Sequence, residues 1–255
     1  MKRIGALLLV SLLAITGCTT NATRDEIASP EAALDAYTRL GLQYLQAGDT
    51  VSAKNSLQRA LTIDSSYAPA FNGLALVFQT ESEPELAEEY FRKAISAEPQ
   101  AAIYHNNFGA FLFAQQRYPE ACTEIARATE DPFYNKRAQA FENLGRCYRL
   151  IDRNDAAEHA FARSLKLNPR RVQALVELSE LLYLKGDLRG ASTWYEQFSS
   201  LVEAKRTSHY PKSLWLGIRL ARETGNAGKA AAYALILKNL YPQSPEYRSY
   251  KESIE

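Results

Sequence analysis

From residue 34 onward, apolar positions recur at helical spacing and the recurrence itself repeats. The segments AFNGLALVFQTESEPELAEEYFRKAISAEP (70–99) and AFENLGRCYRLIDRNDAAEHAFARSLKLNP (140–169) show the unit most clearly. Phe71 and Phe141 are each followed by Leu three residues on, an aromatic at seven, Ala at sixteen, Phe at twenty and Pro at twenty-eight. The spacing predicts a helix, a turn, a second helix and a stop. Gly48-Asp49 and Gly186-Asp187 read as turns inside the unit. Pro99 and Pro169 read as stops, because proline lacks the amide donor and clashes with the preceding turn. Gly41, Gly109 and Gly145 fall where two helices of a unit would approach closely.

This unit resembles the 34-residue tetratricopeptide repeat, a helix–turn–helix module. The resemblance implies an all-α fold: a right-handed superhelix, or α-solenoid, of about six repeats with twelve or thirteen helices. The expected repeats span 34–67, 68–101, 102–137, 138–171, 172–210 and 211–244. The first has Ser65 where the terminal Pro would stand, and the third carries a connector, EDPFYNK, two residues too long. An insertion around 204–210 follows the fifth, the sixth is degenerate in its first helix, and residues 245–255 could form a capping helix or a tail. Each helix pair is apolar on faces it cannot bury alone, so neighbours stack into one continuous core and most aromatics serve that packing.

The first thirty-three residues break the pattern. Lys2 and Arg3 precede an apolar run from Ile4 to Ile15, too short to span a bilayer as a helix but the length of a signal-peptide core. Ile15-Thr16-Gly17-Cys18 resembles the bacterial lipobox. That resemblance implies removal of residues 1–17, acylation of Cys18 as the mature N-terminus, and a tether over 18–33. Several acyl chains anchor a protein stably, whereas one binds reversibly. By resemblance to the sorting rules of enteric bacteria, Thr19 in place of Asp favours the outer membrane over the inner, with the chain facing the periplasm.

A formal net charge of +1 gives no basic field that would suggest nucleic acid. His105, His159 and His209 fall in different repeats without metal-ligand spacing, and neither a phosphate-binding glycine loop nor a nucleophile elbow is present. Once six repeats are assigned, no segment remains for a catalytic domain. The sequence therefore reads as a non-enzyme without cofactor, metal or small-molecule substrate. Cys122 and Cys147 fall in helices that should be packing neighbours. In an oxidising compartment they are a candidate disulfide, two buried free thiols being the alternative.

In tetratricopeptide arrays the first helices line a concave groove. Here the groove positions include Leu42, Leu45, Asn72, Leu76, Asn106 and Phe113 toward the N-terminus. Toward the C-terminus they include Glu142, Arg146, Arg149, Glu180, Tyr183, Trp215, Arg219 and Arg222. The expected groove is apolar with asparagines at one end and mainly basic at the other. Uncovered apolar side chains suggest a partner surface, and asparagine amides can grip a peptide backbone.

Lipobox, short tether, six repeats and the 108–145 segment with its Asp-Pro-x-Tyr connector together resemble the type IV pilus biogenesis/stability lipoproteins, the PilF/PilW family. The resemblance implies a pilotin: a lipoprotein that carries secretin subunits to the outer membrane, where they assemble into the pore for the pilus used in twitching motility. The alternative is an outer-membrane adaptor that organises cell-wall hydrolases or another envelope complex.

Overall fold

The computed structural model describes residues 29–255. Among them are thirteen α-helices and no strand. Six consecutive hairpins carry the fold: α1(Pro30–Gln46)/α2(Thr50–Ile63), α3(Ala68–Thr80)/α4(Pro84–Ala97), α5(Ala102–Ala114)/α6(Tyr118–Ala128), α7(Arg137–Leu150)/α8(Asn154–Leu167), α9(Val172–Leu184)/α10(Leu188–Glu203) and α11(Pro211–Glu223)/α12(Ala227–Leu240). A short α13(Pro245–Glu252) closes the stack against α11 and α12. The chain is an all-α tetratricopeptide-repeat solenoid. No described helix is long and apolar enough to cross a membrane.

Each hairpin turns through one residue in the left-handed region. Glycine holds it in three pairs, at Gly48, Gly186 and Gly225, and Ser82, Gln116 and Asp152 hold it in the others. After the glycines, Asp49, Asp187 and Asn226 cap the second helix, their side chains accepting from Ser52, Gly190 and Lys229 amides at 2.9–3.0 Å. Such caps satisfy amides that lack intrahelical partners. The close approaches are tight: a Cβ at Gly145 would lie 2.7 Å from the Phe161 ring, so no side chain fits there.

The core runs lengthwise as overlapping clusters. One joins Leu34, Leu57 and Leu74, the next Phe91, Phe108, Phe111 and Ile125, and the last Phe161, Leu175, Phe198 and Leu214. Phe91, Phe161 and Phe198 are fully buried, each from the second helix of its pair. Burying one such ring contributes about 2 kcal/mol or more.

Three features depart from the pattern. Pro30–Ala33, assigned above to the tether, form the first turn of α1, with Ser29 Oγ accepting from the Ala32 amide at 3.2 Å. The sixth pair forms two full helices despite its weak motif, because Leu214, Leu216 and Leu237 still bury completely. The third connector runs from 129 to 136 because α6 ends early at Ala128 as well as because the chain is longer there. Residues 1–17 and Cys18 lie outside the described residues.

Candidate partner-binding groove

The first helices stand side by side. α1 touches α3, α5 touches α7, α7 touches α9, α9 touches α11 and α11 touches α13, while Asn107 on α5 donates to Asn72 on α3 at 3.0 Å. They make one continuous face, and its two ends differ in chemistry.

At the N-terminal end Leu42, Leu45 and Leu76 are half-buried, leaving part of each side chain on the surface. The asparagines are placed otherwise than expected. Asn72 is buried and already accepts from Asn107, and Asn106 is buried with its Oδ1 unpartnered. Neither presents its amide to a passing backbone. Between α5 and α7, Ala110, Phe113, Ile125, Asn143 and Arg146 line a pocket of about 210 Å³. Arg146 sits over the Phe113 ring at 5.3 Å, a cation–π contact that leaves the guanidinium exposed.

The C-terminal end is not the free basic surface that its composition suggested. Arg149 donates to Glu177 and Glu180, both at 2.7 Å. Lys212 pairs with the same two carboxylates at 2.6 and 2.9 Å, and Arg219 donates to Glu180 at 3.0 Å. Three cations from α7 and α11 thus close over two carboxylates from α9. Burial pushes the Glu180 carboxyl up, but Lys212 and Arg149 outweigh it and hold it at about 2. Arg219 also lies over Tyr183 and Trp215, at 4.8 and 5.3 Å. Glu142 is buried beneath Arg171 and accepts from the Ala174 amide at 3.2 Å. These side chains pair with one another across the repeats, so the charge they offer a partner is small.

Sequence reasoning missed one buried polar site. His105 places Nδ1 2.7 Å from Glu124 Oε2 and Nε2 2.9 Å from the Pro99 carbonyl. Both ring nitrogens face acceptors, which favours the doubly protonated imidazolium, and the Glu124 hydrogen bond moves its pKa up against the opposing effect of burial. His209 is the opposite case: burial pushes its pKa down, and its ring packs on Phe198 and Tyr233. No group of three or more His, Cys, Asp or Glu among the described residues could hold a metal. Cys122 on α6 and Cys147 on α7 come together with Cα atoms 5.5 Å apart, the separation a disulfide spans.

Family models of the tetratricopeptide repeat match residues 34–67, 68–100, 99–170 and 151–199. The type IV pilus assembly protein PilF of Pseudomonas aeruginosa is 40% identical over 248 residues, covering 95% of this chain and 96% of its own. The chain belongs to the PilF/PilW family of type IV pilus tetratricopeptide-repeat proteins. The solved structure of Pseudomonas aeruginosa PilF covers 88% of this chain and 99% of its own, with a TM-score of 0.80 at 41% identity. The crystal structure of PilW, described as a widely conserved type IV pilus biogenesis factor, covers 85% and 97% with a TM-score of 0.68 at 29% identity. Family membership thus extends through all six helix pairs and is not confined to one repeat.

Proposed function

We propose that this PilF/PilW-family protein is an outer-membrane pilotin. It binds secretin subunits through the first-helix face and promotes their outer-membrane localisation and assembly into multimers for type IV pilus biogenesis and twitching motility. The observation that carries this reading is relatedness to PilF along nearly the whole chain, at 40% identity over 95% of it. The chemistry agrees. The groove presents half-buried leucines at its N-terminal end, and a face with such side chains gains binding energy when a partner covers them.

In this mechanism Cys18 carries the acyl anchor and the repeats hold the cargo. The two parts are separable. In a deletion strain complemented with Cys18→Ala, the protein should still co-purify with secretin subunits, while secretin multimers fall at least tenfold in the outer membrane. Normal multimer levels in that strain would refute the pilotin mechanism.

A further inference from the structure

Antiparallel hairpins sort the loops to two opposite edges of the solenoid. Turns inside each pair lie at one edge. The connectors between pairs, together with the start of α1, lie at the other. Contacts along this second edge tie neighbouring segments together. Tyr67 donates to Asp35 at 2.7 Å, and Gln100 and Asp131 line one pocket. Ser164 donates to the Ala138 carbonyl at 2.7 Å, and Tyr241 to the His209 carbonyl at 2.9 Å.

The connector edge carries a distinctive mixture. Phe133 is 92% exposed, the most exposed large apolar side chain among the described residues, and Leu240 on the same edge is 66% exposed. The Phe133 loop is held at several points. Its amide donates to Asp131 Oδ1 at 2.8 Å, Tyr134 packs on Ala102, Ala128 and Ala140, and Arg137 Nε donates to the Thr129 carbonyl at 2.8 Å. The fixed loop holds the phenyl ring out in solvent, where covering it would remove apolar surface from water. Lys136, Arg170, Lys205, Arg206 and Lys238 follow along the edge, all exposed and, among the described residues, none in an ion pair. The acids Asp64, Glu98, Glu130 and Asp131 occupy the N-terminal part of the edge, the last two in the Phe133 connector itself, and Glu203 stands among the cations.

We propose that this connector edge docks on an anionic lipid surface, with Phe133 entering the headgroup–acyl boundary and the free cations meeting headgroup phosphates. The proposal rests on the reading of Cys18 as the acylated residue. Ser29 is eleven Cα steps from Cys18, a reach of at most about 40 Å, and Ser29 starts α1 at this same edge. The tether therefore holds this edge near the bilayer at its N-terminal end, and Phe133 and the free cations follow along the same edge. Aromatic and basic side chains presented together are what interfacial binding uses.

The test is vesicle flotation of the chain from residue 18 onward carrying Cys18→Ser, which cannot be acylated. It should float with vesicles of phosphatidylethanolamine and phosphatidylglycerol, weakly with phosphatidylcholine alone, and less as salt rises. Phe133→Ser should lower partitioning about tenfold. Arg170→Glu combined with Arg206→Glu should lower it at least as much. Arg189→Glu, an exposed charge at the opposite edge, should leave it unchanged, and circular dichroism should show all variants folded. No flotation, flotation insensitive to the edge variants, or equal loss with Arg189→Glu would overturn the proposal. The intact mass of the wild-type protein taken from membranes tests the acylation separately, so the two readings can fail independently.

Discussion

The two halves of the solenoid use the same helical unit and finish its groove face differently. In α7–α12 the face is knit by charge: Arg149, Lys212 and Arg219 share Glu177 and Glu180 across three consecutive first helices. In α1–α6 it is left apolar, with Leu42, Leu45 and Leu76 half-buried and Asn72 and Asn107 bonding to each other. A surface whose charges are mutually satisfied gains little from a partner, because each pair must be broken or desolvated first. A surface of partly covered leucines gains by being covered. On the proposed pilotin reading, cargo capture belongs to the N-terminal half and rigidity to the C-terminal half.

The seam between the halves offers the largest lever. Cys122 and Cys147 face each other across α6 and α7, flanking the long connector, and a bond between residues 25 apart would close a loop worth about 3.5 kcal/mol of unfolded-state entropy. We expect non-reducing mass spectrometry to find the bond, and Cys122→Ala with Cys147→Ala to lower stability by about that amount in urea unfolding. If the halves then unfold in two separate transitions, the bond is what couples them. A single unchanged transition would show that packing alone does.

Next in size is the ionic ladder. Glu180→Ala leaves Arg149 and Lys212 to share Glu177, strips Arg219 of its ion pair and should cost about 2–3 kcal/mol, read by the same unfolding experiment, while secretin binding stays within about twofold of wild type. Because the Glu180 pKa is depressed to about 2, its stabilisation is present above the ordinary carboxylate range and is lost as pH falls from there toward 2. The smallest expected effect lies in the other half and has the opposite sign. The His105 pKa is raised, so its contribution is complete below the ordinary histidine value and is lost as pH rises through the elevated one. His105→Ala should cost about 1–2 kcal/mol and abolish that alkaline slope. An NMR titration with His105 below its ordinary value would contradict the assignment.

Much of this fold was legible in the spacing of Phe, Leu, Ala and Pro, since those residues are the contacts through which one hairpin stacks on the next. The turns were legible only where glycine marked them. Ser82, Gln116 and Asp152 adopt the same left-handed conformation without that mark, because the flanking helices impose it. The groove was the least legible part. Composition suggested a basic end, but charge on a solenoid is settled one repeat away: Arg149 meets Glu177 and Glu180 at separations of 28 and 31 residues, and Lys212 meets Glu177 at 35. Reading charges in register, one repeat apart, would have exposed the ladder. The His105–Glu124 pair hides for a related reason, since it links neighbouring helices α5 and α6 at 19 residues.

We propose that the apolar N-terminal half of the groove holds the secretin subunit. It is tested most directly by capturing solubilised secretin subunits on the immobilised protein and comparing wild type with the Leu42→Asp, Leu45→Asp double variant and with Arg219→Ala. We expect at least a thirtyfold loss of affinity for the leucine variant, consistent with about 2 kcal/mol of lost burial, and less than a threefold loss for Arg219→Ala. Undiminished capture by a folded leucine variant, or a larger loss from Arg219→Ala, would contradict it.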